Sequence, residues 1–448
     1  MARPVTDFIH DLHWDELPPE VREFARRWLL DLAGVAAAAT GTALSRIVRA
    51  HAAAQFGAGG AAARMLFDGR GVSPAGAALA GGMTIDALDA HDGHKLTKGH
   101  VGCGVLPALL AVSDAAPCGA PDGAEFLTAL VLGYEIGTRA GIALHRTACD
   151  YHTSGAWVAV AAAALGARGL GLDAARTHEA LGIAEYHGPR SQMMRCIDHP
   201  TMVKDGSGWG AMAGLSAAYL AADGFTGAPA LLVTGAEVAP LWADLGQRWC
   251  LFEQYYKPYP VCRWAQPSVQ ATRTLRERHA LAPDAIESIE IGTFHQAIRL
   301  AVRHPKTTEE AQYSTAYPVA AMLVRGRVGP QEVAPEALDD AAINRMADRI
   351  VFTESEAFNA AFPARRFAEV TIVLKDGRRL RSGPTEASGD PEAPAPMDEV
   401  RAKFHAYADP VLGRDRADAI EAEIDALGPD RDMAALFGLI LSPVSPGP

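Results

Sequence analysis

The feature that most constrains this chain is the spacing of small apolar residues through positions 1–266. Alanine, glycine and leucine recur there at helical intervals, and β-branched runs are scarce. After Pro18-Pro19, residues Val21, Phe24, Ala25, Trp28, Leu29 and Leu32 fall at i, i+3, i+4, i+7, i+8 and i+11. That is one wide apolar stripe, opened by proline in the first turn. The same period predicts helices near 41–55, 74–90, 104–115, 124–145, 155–168, 173–185, 208–223 and 237–245, with Gly and Pro clusters between them.

The texture changes after Pro267. Ile286, Ile289, Ile291 and Thr293 form a short β-branched run; Val370, Ile372 and Leu374 alternate, and Asp376-Gly377 predicts a hairpin into Arg378–Arg381. Helices are predicted near 309–325 and 336–348. Residues 382–397 are rich in Pro, Gly and acid and read as a linker or long loop. Helical spacing then returns at Val400, Phe404, Ile420, Ile424 and Leu427, with a last helix near 432–441 and a closing SPVSPGP expected to fray. The fold class is mostly α: a large all-helical domain built from both chain ends plus a smaller inserted α/β (α+β) domain. The expected boundaries are 1–266, 267–397 and 398–448, the last packing back on the first.

With 41 Lys+Arg against 53 Asp+Glu, the net charge of −12 argues against nucleic acid and anionic membranes as partners. The longest apolar run, Trp157–Ala167, is too short to span a bilayer. Six scattered cysteines (Cys103, Cys118, Cys149, Cys196, Cys250 and Cys262) form no CxxC pair, and the N-terminus lacks an apolar signal core, so a reducing, cytoplasmic setting is expected.

Polar chemistry concentrates in five segments. Asp86 to His100 packs Asp89, His91, Asp92, His94, Lys98 and His100 between two helices. This stretch can be a solvated loop, a substrate site or a metal site, although no HExxH spacing occurs. His152, in Tyr151–Gly155, precedes a helix start that favours anions and a neutral imidazole. Lys204 precedes a glycine-rich helix start and can clamp a carboxylate. Arg263 and Gln266 lie at the junction of the two textures, where Arg263 can bind a carboxylate bidentately; Cys262 beside them reads as structural. Tyr317 is either a hydrogen-bond donor to a reacting oxygen or a buried structural tyrosine. With no phosphate loop and no dinucleotide fingerprint, the set fits a small anionic substrate, proton transfer and no cofactor.

In order, LDAHD, YHTSG, ALGIAEY, the stretch Met202–Leu232, YKPYPVCRW and AQYSTAYPVAAML resemble the MmgE/PrpD family over nearly the whole chain. The resemblance implies a homodimer without a required cofactor that removes a proton next to a carboxylate of a small di- or tricarboxylate. Loss of water in the manner of 2-methylcitrate dehydratase is the leading outcome; epimerisation of the iminodisuccinate type and cis-aconitate-type decarboxylation are the alternatives, and a metal-dependent hydrolase is the distant one. The resemblance assigns catalytic roles to Asp89, His100, His152, Lys204 and Tyr317 and matches Asp92 to a family aspartate; with Asp92, the neighbouring His91, His94, Lys98, Arg263 and Gln266 are read as substrate contacts, and no metal is expected. His91 stands where the family usually has aspartate, Gly93 where it has threonine, and Gln266 where many members have histidine.

Overall fold

The computed structural model describes residues 3–117 and 119–444. Cys118 and residues 445–448, the end of the tail expected to fray, lie outside them. The protein is mostly helical with a smaller mixed α/β part. Its long helices are Pro19–Ala39, Ala43–Gln55, Pro74–Asp86, Gly102–Asp114, Gly123–Thr147, Gly155–Gly169, Ala174–His187 and Ser207–Ala222, close to the predicted ones. Their caps follow the sequence: Thr42, Ser73, Asp122 and Asp173 each accept from a backbone N–H in the first turn. Gly123–Thr147 is long and apolar enough to cross a membrane by length and composition, but almost all of it is buried inside the fold.

Helices Pro74–Asp86, Gly155–Gly169 and Ser207–Ala222 pack at the centre. Their approach is close because two glycines permit it. A Cβ on Gly208 would lie 2.4 Å from the Leu79 carbonyl, and one on Gly210 would lie 2.3 Å from the Gly155 carbonyl. This backbone-on-backbone contact draws the loops before the two later helices together.

Helix Met397–Leu412, near the other end of the chain, lies along Pro19–Ala39. Buried Lys403 reaches Asp31 at 2.7 Å, and Phe404 packs on Gly34. A Cβ at position 34 would sit 3.0 Å from the Phe404 ring and 3.1 Å from its Cα. We expect Gly34→Ala to lower stability by about 1–3 kcal/mol through overpacking, read as a lower denaturation midpoint with an unchanged slope.

The α/β part carries a four-stranded sheet, ordered Ile350–Glu354, Ile286–Thr293, Ala368–Leu374, Arg379–Arg381. The first pair is parallel and the others antiparallel, with Ile289 opposite Ile372 and Ile291 opposite Val370. The Asp376-Gly377 turn forms as predicted, with Gly377 at φ +89°.

Five expectations change. Residues 237–245 hold one short 3-10 turn, Ala239–Leu241, because Pro240 sits inside the stretch. The helix expected over 74–90 ends at Asp86, and Asp89 takes a left-handed backbone, φ +44°. The helix expected over 309–325 breaks between Gln312 and Ala316, where the Thr315 N–H bonds to the Leu300 carbonyl and Ser314 Oγ to Val302. Helix Gln266–His279 and strand Ile350–Glu354 were not foreseen, the helix being too polar and the strand directly following a helix. Finally, residues 382–397 are not a free linker. Asp390 pairs with Arg263 at 2.6 Å and Lys95 at 3.2 Å, Gly389 accepts from the Tyr256 N–H, and Arg27 holds the Ala395 carbonyl.

Candidate active site

The loop after helix Pro74–Asp86, the turn before helix Ser207–Ala222, the start of YKPYP and the break after Gln312 converge on one buried polar cluster. It contains Asp86, Asp89, His91, His100, Lys204, Asp205, Lys257 and Gln312, each with less than a tenth of its surface exposed. Two of its members hold left-handed backbones, Asp89 and Lys204 (φ +47°), and Lys98, further along the Asp86–His100 segment, does too (φ +53°). These are three of five such non-glycine residues among the described positions. Backbone strain of this kind persists where surrounding structure holds a side chain in a required place.

The contacts fix the cluster in detail. Lys257 Nζ donates to Asp89 Oδ1 at 2.5 Å and to its carbonyl at 2.8 Å. Lys204 Nζ donates to Gln312 Oε1 at 2.6 Å and lies 4.6 Å from the Tyr313 ring centre. The Gln312 amide is fixed in turn by donating to the Ala87 carbonyl at 2.9 Å. Ser154 Oγ donates to Asp205 Oδ2 at 2.7 Å and accepts from the His100 N–H at 2.9 Å, joining the YHTSG segment to the cluster. The Asp205 N–H donates to Asp86 Oδ2 at 3.2 Å.

His100 has a defined tautomer. Its Nδ1 lies 2.6 Å from the Asp92 carbonyl, which only accepts, so Nδ1 carries the proton and Nε2 presents a lone pair. Nε2 faces Asp89 Oδ1 at 3.5 Å and Asp205 Oδ2 at 3.7 Å. Burial, reinforced by Lys257, holds the imidazole at about 3, so it is neutral near pH 7. Burial also pushes Asp86 up to about 7, aided by Asp205, and Asp205 up to about 6, aided by Asp89. Burial acts on Asp89 in the same sense, but Lys257 and Lys204 outweigh it and hold that carboxyl below its usual value. The pocket thus combines a neutral imidazole base, an ionised carboxylate and two carboxyls able to exchange protons near neutrality, the separation of roles that acid–base chemistry requires.

A cavity of about 540 Å³ opens on Lys204. Thr153, Gln192, Arg195 and His199 also line it, so further polar and cationic groups stand at its edge. The size suits a small molecule.

The other sequence candidates are placed as follows. His152 adjoins Thr153 on the cavity wall, but its Nδ1 lies 3.5 Å from Asp150 and its N–H donates to His145. Lys98 lies over the Tyr151 ring, 4.2 Å from its centre, and burial, aided by Arg366, lowers it to about 8. Asp92 accepts from the Gly102 N–H at 3.2 Å and the Tyr134 hydroxyl at 3.1 Å, which makes it a brace for the loop. His94 contacts Glu253 at 3.2 Å. Arg263 corrects the expectation of a carboxylate clamp: Asp390, Gln266 and the Tyr256 and Ser388 carbonyls already take its guanidinium. Gln266 donates to the Tyr259 and Val261 carbonyls and so braces the same turn. The Tyr317 hydroxyl reaches the Glu332 and Ala337 carbonyls at 2.9 and 3.0 Å, so it ties helix ends in the α/β part. Tyr317→Phe is therefore expected to cost about 1 kcal/mol of stability and to change kcat/KM less than about threefold, measured by melting and steady-state kinetics. Burial pushes the Cys262 thiol up to about 12, in keeping with a structural role.

Lys257, Asp205, Asp86 and Gln312 are the cluster members that sequence reasoning did not select. Lys257 stood within the quoted YKPYP text and Asp205 directly after Lys204. Among the described residues, Asp89, His91 and His100 could share a metal ion, as could His405, Asp418 and Glu421.

Comparison with known proteins agrees with this architecture. The chain is 25% identical to the cis-aconitate decarboxylase-like protein oryM of Aspergillus oryzae, over 97% of this chain and 96% of that protein. It is 24% identical to the cis-aconitate decarboxylase of Mus musculus, over 99% and 94% of the two chains, and 25% identical to that of Homo sapiens, over 83% and 80%. The MmgE/PrpD N-terminal domain matches residues 3–238 and the MmgE/PrpD C-terminal domain matches residues 259–428. This enclosed cluster of lysines, carboxylates and imidazoles is carried by a chain that belongs to the MmgE/PrpD family of enzymes.

Proposed function

We propose that the protein is a lyase that moves a proton at a carbon beside a carboxylate of a small di- or tricarboxylate, using its own side chains. The observation that carries this reading is one buried cluster in which a neutral His100 faces Asp205, the neighbour of the Lys204 that lines the cavity. Lys204 neutralises a substrate carboxylate and the enolate-like charge that develops when the adjacent carbon loses its proton. His100 takes or returns that proton, and Asp89 and Asp205 stabilise the imidazolium formed. Lys257 keeps Asp89 ionised in the enclosed site.

Among lyase outcomes, decarboxylation of an unsaturated tricarboxylate is the first reading, because the relatives matched over nearly their whole length are named a cis-aconitate decarboxylase and a cis-aconitate decarboxylase-like protein. There, the electron pair of the breaking C–C bond forms a new double bond as carbon dioxide leaves, the original double bond opens, and its electron pair takes up a proton at its far carbon from a protonated carboxyl such as Asp86 or Asp205. Dehydration is the second reading. It needs a proton for the departing hydroxyl, and the Asp205 and Asp86 carboxyls, raised to about 6 and 7, hold one near neutrality. Incubation with cis-aconitate, with citrate-like hydroxy acids and with aminated dicarboxylates, followed by NMR and carbon dioxide detection, tests the proposal. Release of carbon dioxide or of water from a polycarboxylate is expected. Inversion of a stereocentre with neither released would move the enzyme to the epimerases, and inertness toward the whole panel would remove the reading.

A further inference from the structure

Three atoms of the cluster have no hydrogen-bond partner: both ring nitrogens of His91 and Oδ1 of Asp86. His91 is fully enclosed, and its Nε2 stands 3.9 Å from Asp86 Oδ1, beyond hydrogen-bond range. Buried polar groups without partners are uncommon in folded proteins and point to something that belongs between them. On its other side the His91 ring packs against the His100 ring, with centres 4.5 Å apart. One donor atom from each of Asp89, His91 and His100 falls within 4.8 Å of the others.

We propose that Asp89, His91 and His100 bind one divalent first-row metal ion of the zinc class, through one carboxylate and two imidazoles. The separation of His100 Nε2 from Asp89 Oδ1, 3.5 Å, is close to the roughly 3.4 Å between two ligands held about 2.1 Å from a tetrahedral ion. Two imidazoles and a carboxylate are a borderline donor set suited to such ions.

The surroundings of both imidazoles support the same assignment. A metal-bound histidine almost always gives its other ring N–H to a carbonyl or carboxylate. His100 gives Nδ1–H to the Asp92 carbonyl, leaving Nε2 as the ligand. His91 has Asp86 Oδ1 beside Nε2, leaving Nδ1 as the ligand. One ion, with a sub-ångström closure of His91 on Asp86, would therefore partner all three orphaned atoms. Asp89 keeps enough lone pairs to hold Lys257 and the ion together. Asp86, Asp89 and Asp205 also set three carboxylates against Lys204 and Lys257, so the pocket can take an added dication. The group around His405 is different: its nitrogens already meet Asp409 at 2.8 Å and Glu421 at 2.6 Å, and Arg401 and Arg414 lie on the same carboxylates.

The ion would occupy the His100 lone pair. If the proposed proton-transfer function holds, on which this consequence rests, zinc acts as a reversible inhibitor.

The test uses the full chain stripped with a chelator and titrated with Zn²⁺ by calorimetry and with Co²⁺ by visible absorption. One ion per chain is expected, with the intense spectrum of a low-coordinate Co²⁺ site and X-ray absorption showing two imidazoles. His91→Asn should weaken binding by about 10–100-fold or more, while His405→Ala should leave it unchanged. The proposal is overturned by no stoichiometric binding, by fewer than two imidazoles on the ion in the unmutated protein, or by binding that survives His91→Asn and is lost in His405→Ala. The X-ray measurement needs no variant, so misfolding of His91→Asn would not protect the proposal. Stoichiometric two-imidazole binding without inhibition would leave the metal site standing and count against His100 as the base.

Discussion

Replacing Lys257 with methionine is expected to cost about 3–5 kcal/mol of stability and to abolish measurable turnover. The Lys257 side chain is wholly buried and makes a 2.5 Å ion pair with Asp89. Removing one partner leaves an enclosed carboxylate with no cation in contact. The second effect is electrostatic. Lys257 helps hold Asp89 ionised and His100 unprotonated. Without it, burial raises the Asp89 carboxyl with less opposition, and the His100 imidazole is lowered less. The double variant Lys257→Met/Asp89→Leu should recover most of the lost stability, since an apolar pair can replace a buried ion pair at little cost, but none of the activity. Chemical denaturation of the three variants checks the first point. A Lys257→Met protein as stable as the parent would refute the paired-charge account.

His100→Gln is expected to lower kcat by about 10²–10⁴-fold with a much smaller change in KM, the signature of a lost general base. The pH profile provides a sharper check. The His100 pKa is held at about 3, so no step belonging to this imidazole is expected near its usual value of 6.5. The acidic limb should instead lie near pH 6–7, set jointly by Asp86 and by the Asp205 carboxyl. That carboxyl is raised by burial, so it is fully ionised only above its shifted value. As pH falls through about 6 it becomes neutral and ceases to stabilise the imidazolium. Activity therefore falls toward acid, and Asp205→Asn should shift that limb while lowering the plateau. A limb unchanged in Asp205→Asn would show that another group controls it.

The helical body was legible because its signal is local. Caps such as Asp122 and Ser73 and the apolar stripe of residues 21–32 act within a few turns of chain. The inserted hairpin was legible for the same reason. The site was legible as a set of segments, but not as a set of partners. Arg263 looked like a carboxylate clamp because its fork suits one, yet Asp390, 127 residues further on within the stretch that read as a linker, already fills it. Lys257 carries the same charge and no distinguishing neighbour, and only the tertiary fold brings Asp89, 168 residues away, to it. Tyr317 stood out through the family resemblance of its segment, whereas the break after Gln312 turns Gln312 and Tyr313 toward Lys204. Charge pairing over such separations leaves no periodic trace in sequence.

The most direct measurement of the central claim is isotope exchange. The protein is incubated in deuterium oxide with cis-aconitate and with citrate-like acids, and substrate and product are read by NMR and mass spectrometry. We expect deuterium at a carbon adjacent to a carboxylate, with incorporation lost in both His100→Gln and Lys204→Met proteins that remain folded. Exchange at full rate in those two variants, or none from any small di- or tricarboxylate in the unmutated protein, would contradict the account.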